Sequence, residues 1–171
     1  MSIVTSIRML LWMMFVTGIV YPLVVTLISF ATMKNTASGS MVSTVGSKLI
    51  AQEFTSDRFF WPRPSAVNYN PLSSGGSNLS VTSAELKKLV ALRRAKFVTA
   101  HVPQELLFAS ASGLDPHISP ECAYFQIDRV AHARGIDKKI IQNLVESHIE
   151  RPFFGKPCVN VLVLNLALEE M

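Results

Sequence analysis

Two residues suited to acid and base chemistry, Asp115 and His117, flank Pro116 in the segment GLDPHISP. A carboxylate beside an imidazole can act as a general acid and base, so one hypothesis is an exported hydrolase that uses this pair. The alternative is that Asp115 shapes a turn before a helix. The G-x-S-x-G spacing of serine hydrolases is missed by both nearby candidates, SSGGS from Ser73 and ASASG from Ala109. The sequence therefore favours the turn.

A long and nearly uncharged loop, residues 65–80 (SAVNYNPLSSGGSNLS), holds a second chemical candidate. Successive glycines next to polar residues can point several backbone amides into one concavity, as in phosphate-binding loops. The residues concerned are Ser74, Gly75, Gly76, Ser77 and Asn78. A P-loop also needs a lysine followed by Ser or Thr, and no lysine follows Gly76, while Lys156 is followed by Pro157. A turn-rich loop that uses glycine for its backbone freedom is the interpretation we prefer.

Histidines and cysteines give no recognisable metal motif. The four histidines are widely spaced along the chain and form no H-x-H or H-E-x-x-H pair, so a metal site would require the fold to gather them. We expect none. The two cysteines, Cys122 and Cys158, permit one disulfide in an exported domain. They do not form the framework of a disulfide-rich domain, so we predict two buried free thiols.

Three segments predict elements around the long loop. The sequence TSAE from Thr82 to Glu85 is a capping box, which predicts a helix that begins there and ends near Ala95. Residues 106–109 are a plausible strand. The apolar run at residues 159–168 (VNVLVLNLAL) is rich in β-branched residues and leucine, and it predicts a buried strand.

A tight helix pair is predicted between the last two of these segments. Ser119 and Pro120 fit the N-cap and first position of a helix, and Gly135 fits its left-handed C-terminal cap after Arg134. Asp137 then caps a second helix over residues 138–150. Helices and strands together give an α+β fold.

The N-terminal run, residues 9–33, has no charged residue between Arg8 and Lys34. A helix of roughly 20 apolar residues crosses the hydrocarbon layer, so this run predicts one transmembrane helix after a short tail of residues 1–8. A cleaved signal peptide is the alternative, but the run is too long for one and no clean Ala-x-Ala site follows it. We expect the helix to be retained.

Three residues of this run, Gly18, Tyr21 and Pro22, are candidates for packing against a partner in the membrane. Gly18 allows close approach of a neighbouring helix, and Tyr21 can pack on a partner or sit at an interface. Pro22 removes a backbone donor, which predicts a kink near Val20 and Tyr21 without a break in the helix.

The remaining chain reads as a linker, residues 34–47, followed by one domain, residues 48–171. The net charge is +4 and the calculated pI is near 9.3, yet the basic residues are scattered, which argues against a nucleic-acid partner. Arg8 lies on one side of the predicted span and Lys34 and Lys48 on the other, so charge alone does not decide its orientation.

Several motifs occur together and in order. They are TGIVYPL at residues 17–23, RPSA at 63–66, SGGSNL at 74–79, ASASGLDPHIS at 109–119 and VNVLVLNLAL at 159–168. In these motifs the chain resembles the C chain of the Kdp-type potassium-transporting ATPase, over nearly its whole length. One small departure is Ala51 in LIAQ, where the family usually shows LIGQ.

The resemblance implies a non-catalytic accessory subunit of an ATP-driven, P-type potassium uptake pump in the bacterial cytoplasmic (inner) membrane. The implied partners are a multi-span potassium-translocating subunit, an ATP-hydrolysing subunit and membrane lipid. It also implies a single-pass topology with the C-terminal domain outside the cytoplasm, where it would stabilise the assembly.

The same resemblance implies a role as a catalytic chaperone that raises the ATP affinity of the ATP-hydrolysing subunit. In that role Ser74 to Asn78 would contact nucleotide. No tightly bound cofactor is expected otherwise. A nucleotide contact conflicts with an extracytoplasmic domain, because ATP is absent there, and the missing lysine favours the topology.

Overall fold

The computed structural model describes residues 2–42, 45–97, 99 and 101–171. The chain divides into two units, Met1–Ser47 and Lys48–Met171. Ser43 and Thr44 of the predicted linker lie outside the described residues. The architecture is mixed, with one long apolar helix followed by helices and two small sheets, so the predicted α+β fold is confirmed.

The first unit is dominated by a continuous helix, Ile3–Thr32, which is long and apolar enough to cross a membrane. It consists of α1 (Ile3–Phe15), a π-helical turn (Val16–Val20) and α2 (Tyr21–Thr32). At about 1.5 Å per residue, 30 residues extend beyond the roughly 30 Å of a hydrocarbon layer. Short elements follow it, namely α3 (Lys34–Ala37) and an antiparallel hairpin of β1 (Met41–Val42) and β2 (Gly46–Ser47).

Pro22 is accommodated by the π-helical turn that precedes it. The amide of Tyr21 donates to the carbonyl of Val16, five residues earlier, so the helix is widened by one residue where the proline ring must fit. The helical backbone continues through Val20 and Tyr21. The expected irregularity is thus a π turn centred on Gly18, and the helix is not broken.

The second unit contains four helices and a three-stranded sheet among its described residues. The helices are α4 (Ala84–Arg94), α5 (Pro120–Arg134), α6 (Lys138–Ser147) and α7 (Val161–Glu169). The strands are β3 (His117–Ile118), β4 (Ile149–Glu150) and β5 (Cys158–Asn160), in the antiparallel order β3-β5-β4. In this sheet His117 pairs with Asn160, and Glu150 pairs with Cys158.

The predicted helix pair is present with the predicted caps. Ser119 Oγ accepts from the amide of Cys122, and Gly135 takes a left-handed backbone with φ of 70°. Asp137 caps α6, accepting from the amide of Lys139. The prediction extended α6 too far, because residues 149–150 form β4 instead.

Two other boundaries were wrong. Ser83, not Thr82, caps α4, and its hydroxyl accepts from the amide of Leu86. Thr82 Oγ1 instead shares a hydrogen bond of 2.9 Å with the hydroxyl of Ser80. The strand predicted at residues 106–109 is replaced by a 3₁₀ turn, Gln104–Leu106, which places Leu106 in the core.

The strand predicted at residues 159–168 was also wrong over most of its length. Only Cys158–Asn160 is a strand, and Val161–Glu169 is the helix α7. The strand ends and the helix begins at Asn160, which is the N-cap of α7: its Oδ1 accepts from the amide of Val163. The run is apolar on nearly every side, so it carries no helical periodicity, and the helix is buried accordingly.

Two buried amides hold the segment at Phe60 and Trp61 against the helices. Asn165 exchanges two hydrogen bonds with the backbone of Phe60, at 2.8 and 3.0 Å. Gln126 does the same with the backbone of Trp61, at 2.8 and 3.1 Å. Each side-chain amide accepts from a backbone N–H and donates to a backbone carbonyl, as a neighbouring β-strand would. The backbone groups of this irregular segment therefore have hydrogen-bond partners inside the core.

Candidate functional site

The RPSA, SGGSNL and GLDPH motifs meet in one group of loops, which we call the motif cluster (residues 63–69, 74–78 and 110–117). Arg63 Nη1 lies 3.1 Å from Asp115 Oδ2, which joins residues 52 positions apart. The amide of Ser110 donates to the carbonyl of Pro64 at 3.2 Å. The motifs are thus neighbours in space although they are separate in sequence.

The glycine-rich loop is attached to the motif cluster by its backbone. The amide of Gly75 and the hydroxyl of Ser74 both donate to the carbonyl of Ser112, at 2.8 and 3.0 Å. At Gly76 a Cβ atom would lie 3.1 Å from the carbonyl oxygen of Ala111, so this position is tight. Two hydrogen-bond donors of the loop are therefore occupied by contacts within the chain and are not free for a ligand.

A surface cavity of ≈ 350 Å³ opens beside Gly76, Ser77 and Asn78. Among the described residues lining it, Arg93 carries the only positive charge. Arg93 Nη1 donates to the carbonyl of Leu107 at 2.7 Å, which occupies part of its guanidinium. The cavity is a poor match to a nucleotide phosphate group, which needs several free donors or cations. The assignment of Ser74 to Asn78 to nucleotide or subunit contact stays a prediction.

At Gly113 the loops of the motif cluster leave no room for a side chain. Its φ is +68°, and a Cβ there would lie 2.7 Å from Val67 Cγ2 and 2.9 Å from the carbonyl oxygen of Gly75. Both the backbone conformation and the lack of space make a larger residue unfavourable here.

Tyr69 ties the loop back to Arg63. Its hydroxyl donates to the carbonyl of Arg63 at 2.9 Å, and its amide donates to Ser65 Oγ at 3.0 Å. Burial raises the pKa of Tyr69 to about 12, so the phenol keeps its proton at physiological pH.

Asp115 and His117 do lie together, in the geometry of a turn. Asp115 Oδ1 accepts from the amide of His117 at 3.0 Å and faces His117 Nδ1 at 3.4 Å, while Arg63 holds the other oxygen. The hydrogen bond between the two side chains lowers the pKa of Asp115 and raises the pKa of His117. Both carboxylate oxygens are engaged by protein groups, which fits the turn-shaping role.

Comparison with known proteins agrees with the clustered motifs. A family profile described as "K+-transporting ATPase, c chain" matches residues 3–170. This chain belongs to that family. The resemblance seen in the sequence is confirmed.

Relatives are similar to the chain over almost its full length. The potassium-transporting ATPase KdpC subunit of Leptospira interrogans is 46% identical, and the alignment covers 96% of this chain and 91% of the relative. The KdpC subunit of Geobacter metallireducens is 45% identical, with 97% and 96% covered. The KdpC subunit of Photorhabdus laumondii is also 45% identical, with 98% and 95% covered.

The three candidate packing residues of this C chain's long helix are exposed within their own unit. Gly18 lies in the π turn, with open space where a Cβ would be. Tyr21 is 65% exposed, and Pro22 follows it at the start of α2. Their assignment to partner packing stays a prediction.

Two features escaped the sequence reasoning. Phe153 and Phe154, on the loop between β4 and β5, are 93% and 86% exposed, and their rings stack edge to face at 4.7 Å. The segment RPFFGKP, with a proline on each side of the pair, could have signalled this exposed loop. The sheet also gathers His117, Glu150 and Cys158, a grouping that spacing along the chain could not reveal.

Cys122 and Cys158 are free thiols in different surroundings. Cys122 is buried in α5, and burial raises its pKa to about 12. Cys158 is only half-buried on β5, so the prediction of two buried thiols is correct for Cys122 alone. Partial burial raises the pKa of the Cys158 thiol as well.

Proposed function

We propose that the chain is a non-catalytic C subunit of an ATP-driven, high-affinity potassium uptake pump. In this role it stabilises the assembly of a potassium-translocating subunit with an ATP-hydrolysing subunit. The observation that supports the proposal most is the family match over residues 3–170, which includes the apolar helix and all but the last residue of the domain.

The motif cluster supports a structural role over a catalytic one. Asp115 contacts both Arg63 and His117, and Ser74 and Gly75 donate to the carbonyl of Ser112. Groups engaged in this way hold loops in place. They are not arranged around a free nucleophile, as a hydrolase of this type needs.

In the proposed topology the helix Ile3–Thr32 crosses the cytoplasmic membrane once and the C-terminal domain lies outside the cytoplasm. The family resemblance supports this orientation, and the absence of a phosphate-binding lysine after Gly76 is compatible with it. An effect on ATP affinity would then reach the ATP-hydrolysing subunit through the assembly, without nucleotide bound at residues 74–78.

The helix offers a surface for the assembly. Gly18 permits close approach, and the π turn before Pro22 gives this stretch a shape that a regular helix lacks. A partner helix that packs there would recognise shape, since lipid tails give no hydrophobic advantage to helix association.

The function is tested by purifying the tagged full chain alone and with the two larger subunits. We expect the chain alone to hydrolyse neither ATP nor simple esters. We expect potassium-stimulated ATPase activity only when all the subunits are present, with a marked loss when this chain is omitted. Ester hydrolysis by the chain alone, lost in Asp115→Asn but retained in the exposed control His132→Gln, would instead support the hydrolase hypothesis.

A further inference from the structure

The three-stranded sheet places three metal-binding side chains on one face. Cys158 of β5 lies directly opposite Glu150 of β4. His117 of β3 lies opposite Asn160, two residues along β5 from Cys158. Residues two apart on a strand share a face, so the register of the sheet brings His117, Glu150 and Cys158 together.

The ligand atoms of this group are close to the spacing that a metal ion requires. One nitrogen of His117, one carboxylate oxygen of Glu150 and the Sγ of Cys158 all lie within 4.8 Å of one another. A tetrahedral zinc ion holds such atoms at about 2.0–2.3 Å, which places them roughly 3.5 Å apart. Glu150 is exposed, so rotation of its side chain can close the remaining gap.

Asp115 provides the outer contact that metal-binding histidines commonly have. Its Oδ1 faces His117 Nδ1 at 3.4 Å, and Arg63 Nη1 fixes its Oδ2 at 3.1 Å. A carboxylate on one ring nitrogen orients the imidazole and leaves Nε2 for the ion. Two residues of the motif cluster, Arg63 and Asp115, thus orient His117, one of the three ligands.

We propose that His117, Glu150 and Cys158 form a binding site for a divalent transition-metal ion, with Zn²⁺ as the best match. Zinc accepts imidazole, carboxylate and thiolate ligands together, and a water molecule completes the tetrahedron. Oxygen-preferring ions such as Mg²⁺ do not suit a thiolate. This site goes beyond the proposed assembly role and does not depend on it.

Such an ion would connect all three strands of the sheet. Glu150 and Cys158 close the loop that carries Phe153 and Phe154, so the ion would fix the base of this exposed loop. In this position its role is structural.

The test uses the purified full chain in detergent, treated with a chelator and then titrated with Co²⁺ as a spectroscopic substitute for Zn²⁺. We expect one ion per chain, a thiolate-to-cobalt charge-transfer band and the visible bands of tetrahedral cobalt. Zn²⁺ should displace the cobalt and remove both sets of bands.

Matched variants identify the ligands. Cys158→Ala should abolish the charge-transfer band, whereas Cys122→Ala should retain it. His117→Gln should weaken binding by more than the roughly 10–100-fold loss expected for the outer-contact variant Asp115→Asn, and the control His132→Gln should bind as the unchanged chain does. Circular dichroism of each variant checks that it is folded.

Three results would overturn the proposal. They are the absence of a charge-transfer band in the unchanged chain, a band that persists in folded Cys158→Ala, and metal binding that His132→Gln weakens as much as His117→Gln. Any of them would leave His117 as an imidazole that contacts the carboxylate of Asp115, without a metal at this site.

Discussion

At the scale of single residues, Gly113 shows how the motif cluster depends on one small side chain. The carbonyl of Gly75 and the side chain of Val67 occupy the space where its Cβ would be. Gly135 has a similar φ, +70°, but open space around it. The two glycines therefore separate the effect of backbone conformation from the effect of crowding.

We expect Gly135→Ala to lower the free energy of unfolding by about 1 kcal/mol, for the left-handed backbone alone. Gly113→Ala should lower the free energy of unfolding by about 1–3 kcal/mol more than Gly135→Ala does, because the loops must also move apart. Urea unfolding of the full chain in detergent measures both. Equal losses in the two variants would contradict the close packing at Gly113.

The two thiols should differ in reactivity. Since burial raises the pKa of Cys122 to about 12, almost none of it is thiolate near neutral pH, and its location in the core also blocks reagents. After chelator treatment, iodoacetamide should label Cys158 in the folded chain and Cys122 only after denaturation. Peptide mass spectrometry gives the labelled fractions, and comparable labelling of Cys122 in the folded chain would be incompatible with this structure.

At the scale of elements, the side-chain amide of Asn165 makes the backbone hydrogen bonds at Phe60 that a neighbouring β-strand would otherwise make. Asn165→Ala would leave the buried amide and carbonyl of Phe60 without partners, which should lower the free energy of unfolding by about 1–3 kcal/mol. Asn143→Ala, on the exposed side of α6, should change it by less than about 0.5 kcal/mol. Urea unfolding compares the two variants, and similar losses would show that the amide bonds are unimportant.

The glycine-rich loop should not be a nucleotide site. Ser74 and Gly75 are bonded to Ser112, and Arg93 is the only cation lining the neighbouring cavity among the described residues. We expect isothermal titration of the full chain with ATP to show no saturable micromolar binding. Saturable binding that is lost in the double variant Gly75→Ala with Gly76→Ala would show the opposite.

Local signals and long-range contacts differed in how well the sequence predicted them. The caps at Ser119, Gly135 and Asp137 could be predicted because each depends on a few adjacent residues. The helix Val161–Glu169 could not, because an apolar run that is buried on nearly every side has no helical periodicity. Sequence also named Asp115 and His117 together.

The candidate site was predicted only in its parts. The motifs were recognised, but the contact of Arg63 with Asp115 joins residues 52 positions apart, and local patterns carry no information about such pairs. The grouping of His117, Glu150 and Cys158 depends on the register of three short strands, two of which were not predicted at all.

At the scale of the whole molecule, the proposed topology is open to a direct test. A reporter that is active only outside the cytoplasm, fused after Met171, should be active if the C-terminal domain lies outside. A reporter that works only in the cytoplasm should be silent at the same position. The reverse pattern would place the domain inside and would make nucleotide contact at residues 74–78 plausible again.

The central claim is that this C chain holds an assembly together through specific packing of its membrane helix. The most direct measurement replaces residues 9–33 with an unrelated apolar helix of equal length and follows co-purification of the larger subunits in mild detergent. Ala31→Leu, an exposed change in α2 away from Gly18, serves as the control. The account predicts that the replacement loses the larger subunits and the potassium-stimulated ATPase activity, while the control keeps both. Full co-purification and normal activity of the replaced chain would contradict specific packing of the helix.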